Sequence, residues 1–139
     1  MTQIYFYSGT ADKLHTACRL STKAVQQGLK VMIYSLDAAL LERLDKLLWT
    51  FSPASFIPHS HVDDQLASVT PIVLGQETEQ TTHCDVLLNL DDQCPPFLDR
   101  FERLIEIAGT IPEDKQAARQ RYRFYQEKGY KIHHYKLED

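Results

Sequence analysis

The stretch QIYFYSGTADKLHTACRLSTKAVQQGLKVMIYS, residues 3–35, decides the fold. Gln3 to Tyr7 is a short apolar and aromatic run, and Ser8-Gly9 ends it, which reads as a buried strand and a turn. Leu14, Ala17, Cys18, Ser21, Val25 and Gly28 then recur at helical spacing, with Thr10 in the N-cap position, Asp12 in the first turn and Gly28 as the stop. Lys30 to Ser35 returns at once to a strand pattern. A strand, a helix and a second strand joined so tightly require a right-handed crossover and a parallel pairing, hence an α/β domain of three layers.

Working outward, Asp37 caps a second helix whose Leu40, Leu41, Leu44, Leu47 and Leu48 form an apolar stripe running into Trp49. Pro53, Pro58 and the polar run from His59 to Gln65 break all periodicity and read as a long connection. Further strands are expected at Thr70–Leu74, Val86–Leu90 and Arg103–Ile107. Thr110 and Glu113 have capping-box spacing, so a helix is expected from Pro112 to Lys128, stopped by Gly129, with a last strand at Tyr130–Tyr135. No repeat or linker divides the chain, so residues 1–139 are expected to form one domain with a mostly parallel sheet.

Composition narrows the function classes. The chain has 139 residues, 43% of them apolar and 24% charged, which describes an ordinary folded domain able to bury its own core. Three scattered cysteines, Cys18, Cys84 and Cys94, without a CxxC, fit a reducing compartment, and no long apolar run or signal-peptide pattern is present, so a cytoplasmic protein with no membrane contact is expected. The formal net charge is −4, the wrong sign for a surface that grips phosphates, and no direct nucleic-acid contact is expected. The charge is nonetheless polarised. Between Lys115 and Lys136 seven bases face one acid, Glu127, whereas the rest of the chain carries a charge of −10. The basic segment fits an anionic partner or a solvated helix face.

Catalytic and metal chemistry find little support. The Ser8–Thr10 turn stands where nucleotide-binding folds place a phosphate loop, but neither G-x-x-x-x-G-K-[ST] nor G-x-G-x-x-G occurs, and Ser8 lacks a nucleophile elbow. A small nucleotide-binding protein or enzyme using that turn is the alternative reading. His59, His61, Asp63, Asp64, His83 and Cys84 have ligand-competent side chains, yet nothing in their spacing makes three or four donors converge, and Asp91-Asp92 reads as a strand end. No cofactor or metal is expected.

Two clusters are better suited to binding a protein. Lys115, Arg119 and Tyr122 share one face of the last predicted helix, where an Arg fork can hold a carboxylate and the ring can line a pocket, although Tyr122 and Tyr125 packing on the sheet is the plain alternative. Trp49, Phe51, Phe56 and Ile57 bring large apolar groups into a helix end and loop; core packing is the default there, and a peptide anchor the other use.

The ordered set formed by YFY (residues 5–7), LDKLLWTFSPASFIPH (44–59), PIVLG (71–75) and PEDKQAARQRYRFYQEKGYKI (112–132) resembles the chi subunit family of bacterial DNA polymerase III holoenzyme. The resemblance covers nearly the whole chain. It implies a nucleotide-binding-like α/β topology with no catalytic site, and a clamp-loader accessory subunit with two partners. One is psi, which tethers it to the loader; the other is the acidic C-terminal tail of single-stranded DNA-binding protein, which ends in proline and phenylalanine. Carried onto this sequence, the resemblance places tail-contacting bases at Lys115 and Arg119 and a ring at Tyr122, with Trp49 and Phe56 near the same pocket. Ala108 stands where a larger aliphatic residue is expected, implying a shallower slot. Tyr130 and Tyr135 form the candidate aromatic patch for psi.

Overall fold

The computed structural model describes residues 2–50, 59–61, 70–76 and 83–137. Seven strands form one sheet: β1 (Gln3–Thr10), β2 (Val31–Tyr34), β3 (His59–His61), β4 (Ile72–Gly75), β5 (Val86–Asn89), β6 (Arg103–Gly109) and β7 (Ile132–Lys136). Among the described residues three α-helices accompany them: α1 (Lys13–Gln26), α2 (Ala38–Thr50) and α3 (Pro112–Glu127). The spatial order is β3-β4-β2-β5-β6-β1-β7 and every pairing is parallel. The expected α/β class holds, with a wholly parallel sheet.

Alternation along the strands builds two cores. Val31, Ile33, Ile72, Leu74, Val86, Leu88, Ile105 and Ile107 point to one face and pack beneath α1 and α2. Their neighbours Ile4, Phe6, Met32, Val73, Leu87 and Leu104 point to the other, where α3 contributes Ala118 and Tyr125. Because the central strands β2, β4 and β5 are covered on both faces, they are buried throughout and read as continuous apolar runs.

Several local expectations need correction. Ser8-Gly9 is not a turn: β1 continues to Thr10 because Ser8 is paired on both sides, with Ala108 of β6 and Lys136 of β7, and the irregularity falls between Ser8 and Thr10. Thr10 therefore cannot cap α1. Its hydroxyl is buried 2.7 Å from that of Thr16, and Asp12 is the cap, accepting from the His15 amide at 3.1 Å. The Thr110–Glu113 capping box does not form either, since Ile111 occupies the N-cap and offers no side-chain oxygen. His59–His61, expected in a loop, pairs with β4 as an edge strand. Other signals hold: Asp37 accepts from Ala39 and Leu40 at the start of α2, and Gly28 and Gly129 follow the ends of α1 and α3 with φ of +85° and +86°.

The charge reading also changes. Arg121, counted among the bases of the C-terminal segment, is buried against the equally buried Glu106 of β6, with Nε to Oε1 at 3.0 Å. Glu106 further accepts from Tyr125 Oη at 2.6 Å and Asn89 Nδ2 at 3.0 Å. Burial pushes its carboxyl pKa up, while Arg121 and these hydrogen bonds pull it back. Removing the guanidinium leaves a buried carboxyl without its countercharge. Arg121→Met is expected to cost about 3–5 kcal/mol in a denaturant titration. A folded-state pKa above the unfolded value means stability is lost as pH rises through it, so the deficit should be larger at pH 8 than at pH 5. Adding Glu106→Gln should remove that pH dependence.

Candidate functional site

β1 and β6 are adjacent, yet the helices that follow them leave on opposite faces, α1 on one side and α3 on the other. In a parallel α/β sheet such a divergence opens a crevice at the carboxyl ends of the strands. Here it holds a cleft of about 530 Å³, bounded by the ends of β1, β6 and β7 and by the first half of α3. That volume suits a small ligand or the anchor residues of a peptide.

The apolar wall comes from Phe6, Tyr122, Ala108 and Ala118. Phe6 and Tyr122 meet with ring centroids 5.1 Å apart at 58°, a tilted contact that fixes both rings. Ala108 and Ala118 contribute only methyl groups. The small side chain at 108 lines the cleft beside the Phe6–Tyr122 pair. Polar groups gather at the rim: Lys115 and Arg119 from α3, Lys136 from β7, and Ser8 Oγ hydrogen-bonded to His134 Nε2 at 2.8 Å. Among the described residues, neither Lys115 nor Arg119 forms an ion pair. The cleft thus combines free cations with an apolar slot, a chemistry matched to an anionic ligand that carries an aromatic or aliphatic group.

Asp114 sets the start of α3. Its Oδ2 accepts from the Gly109 amide, and its Oδ1 lies 2.8 Å from Lys13 Nζ on α1. A Cβ at position 109 would sit 2.8 Å from the same carboxylate oxygen, so a larger residue there would push the Asp114 side chain aside. Lys115 and the turn that follows are held over the cleft as a result.

The structure brings together Lys115, Arg119 and Tyr122 of the predicted site residues. Trp49 is elsewhere. It lies on α2, half exposed, with its ring 4.5 Å from that of His59 on β3, and it lines a separate hollow of about 410 Å³ with Leu41, Asp45 and Leu74. β3 and β6 are four strand spacings apart, about 19 Å, so Trp49 cannot share the cleft. Phe56 lies outside the described residues. The proposed psi patch also divides: Tyr130 packs on Tyr125 beneath α3, while Tyr135 stacks on Tyr7 on the opposite face of the sheet. Sequence reasoning met Ser8 only as part of the Ser8–Thr10 turn and missed His134 and Lys136, whose place at the cleft depends on β7 pairing with β1 across the whole length of the chain.

The alternative readings fare poorly on geometry. At the start of α1, the Asp12 carboxylate already accepts the backbone donor that a phosphate would use, and its charge opposes an anion there. His59 and His83 are buried and bonded to the backbone oxygens of Asp45 and Thr70. Asp91 accepts from the Leu36 and Gln93 amides, as a strand-end turn should. Among the described residues, no three potential ligands come together to hold a metal, and no helix is long and apolar enough to cross a membrane.

Comparison with known proteins gives one consistent result. A family model described as the DNA polymerase III chi subunit, HolC, matches residues 1–133. A DNA polymerase III subunit chi from Pseudomonas aeruginosa is 36% identical, over 99% of this chain and 98% of the relative. Proteins of the same name from Haemophilus influenzae and Escherichia coli are 30% and 24% identical, covering 84% and 83% of this chain and 81% and 79% of their own.

The Asp114 clamp is testable by itself. Asp114→Ala removes a half-buried ion pair and an acceptor for Gly109, and is expected to cost about 1–2 kcal/mol after allowance for solvent screening. Calorimetry should show a fall of roughly 3–8 °C in the thermal midpoint.

Proposed function

This chain belongs to the DNA polymerase III chi subunit family, and on that footing we propose that it is a noncatalytic cytoplasmic adaptor, grasping the acidic carboxy-terminal tail of single-stranded DNA-binding protein in the cleft over β1 and β6. The observation that carries this reading is the pairing of Lys115 and Arg119, both without an acidic partner among the described residues, with a slot walled by Phe6 and Tyr122. A tail ending in acidic residues, proline and phenylalanine needs those two features side by side: cations for its carboxylates and an apolar recess for its last ring.

An adaptor must hold two partners at once, so its second interface has to lie away from the cleft. Trp49 satisfies that condition. It stands beside β3 at the far end of the sheet, half exposed over its own hollow, and a tryptophan so placed supplies large contact area at little conformational cost. Psi is assigned to this face, in place of the Tyr130–Tyr135 patch that the two sides of the sheet divide.

Calorimetric titration with a peptide of the tail tests both assignments. Arg119→Ala should weaken the tail complex by about 1.5–3 kcal/mol, roughly ten- to a hundredfold, with the thermal midpoint little changed. Deleting the peptide's terminal phenylalanine should abolish measurable binding. Trp49→Ala should leave tail affinity unchanged and weaken psi. A tail constant that ignores Arg119→Ala, or one that collapses with Trp49→Ala in a folded protein, removes the assignment.

A further inference from the structure

The face of the sheet opposite α3 carries a second ordered cluster. α1 lies over β2, β5 and β6, which leaves β1 and β7 at the margin of that face. There Tyr5 and His133 stack with centroids 4.7 Å apart at 16°, and Tyr7 and Tyr135 stack at 5.3 Å and 22°. Each pair runs across the strands, as the registers Tyr5 with His133 and Tyr7 with Tyr135 require. On its inner side the Tyr5 ring is covered by the Arg103 guanidinium, 5.9 Å from its centroid. On the outer side nothing follows among the described residues, because β7 is the edge strand. The ladder therefore ends in His133, half-buried with Nε2 3.1 Å from Gln3 Oε1, and in Tyr135, 47% exposed.

The elements that carry and flank this ladder are mostly basic. α1, β1 and β7 contain no acidic residue, and the one acid of β6, Glu106, is buried on the opposite face. Lys23, Arg103 and Lys131 are exposed, Lys131 just before β7. Lys23 and Arg103 share a hollow with Tyr5 and Tyr7. Among the described residues, Asp99 and Glu102 stand at the amino-terminal end of the strands in a hollow shared with Tyr5, Arg100 and Arg103, and Asp99 there accepts from Tyr130.

We propose that this β1–β7 face binds single-stranded nucleic acid, two of its bases stacking on His133 and Tyr135 while its phosphates meet Arg103, Lys131 and Lys23. The two ring faces are two residues apart on one strand, about 6.6 Å, close to twice the rise per nucleotide in a duplex, so the site takes an extended strand with unstacked bases. Duplex DNA hides the base faces the ladder needs. An acidic peptide uses the cations and leaves the rings idle. A second copy of the chain, docked through a two-fold axis, brings these cations against themselves. The net negative charge of the whole chain, with Asp99 and Glu102 beside Arg103, makes the contact weak and dependent on low salt.

Fluorescence anisotropy with the full chain and a labelled oligothymidylate of about fifteen nucleotides tests the site, with a duplex of equal length and polyglutamate as competitors. The expected result is binding at low salt that weakens as salt rises, is displaced far less well by duplex or polyglutamate, and falls roughly tenfold in Tyr135→Ala and His133→Ala. Tyr135→Trp should retain it, and so should Arg119→Ala, which separates this face from the cleft. Three results overturn the proposal: no binding of the oligonucleotide at low salt, competition by polyglutamate equal to that by the unlabelled strand, or unchanged affinity in Tyr135→Ala. Concentration-dependent dimerisation that Tyr135→Ala abolishes, with no oligonucleotide bound, gives the face to a second copy instead.

Discussion

The Glu106 carboxyl, closed off from water beneath α3 and gripped by Arg121, Tyr125 and Asn89, fixes the rotation of that helix about its own axis. A salt bridge buried this deeply is weak evidence for added stability, because desolvating both ions consumes much of their attraction. Its effect here is positional. With Arg121, Ala118 and Tyr125 directed at the sheet, helical periodicity carries Lys115, Arg119 and Tyr122 to the adjoining side, over the ends of β1 and β6. A helix turned by one residue position would bring the same cations to open solvent and close the slot.

Topology supplies the space that this rotation fills. β1 sits between β6 and β7, so the carboxyl ends of three parallel strands meet at one point, and the helices following β1 and β6 part to opposite faces. The crevice that results is the general ligand position of open α/β sheets, used here with cations and aromatic rings in place of a glycine-rich loop. The same arrangement sends β1 and β7 to the margin of the other face, where α1 no longer covers them. Binding surfaces on this molecule are thus consequences of which strands the three helices leave exposed.

Much of this was legible in the sequence. The apolar strands, the leucine stripe of α2, the Asp37 cap and the glycine stops each follow from local periodicity or backbone geometry, and local rules read them correctly. The resemblance also singled out Lys115, Arg119 and Tyr122, which helical spacing places on one face. What escaped was decided by pairing at long range. Ser8-Gly9 looks like a turn until two neighbouring strands extend β1 through it, and Arg121 looks like a solvated base until Glu106 is found beneath it. Trp49 and Tyr122 both seemed to belong to one pocket because nothing local in a sequence reports that their helices flank opposite ends of a seven-stranded sheet.

The most direct measurement is a two-dimensional amide and indole NMR titration of the isotopically labelled protein with the tail peptide. Occupation of the cleft predicts saturable shifts at the amides of Ser8, Gly9, Gly109, Thr110 and Arg119, with the Trp49 indole unmoved. Shifts centred on Trp49 and its neighbours on α2, with the Gly9 and Gly109 amides silent, would contradict the account.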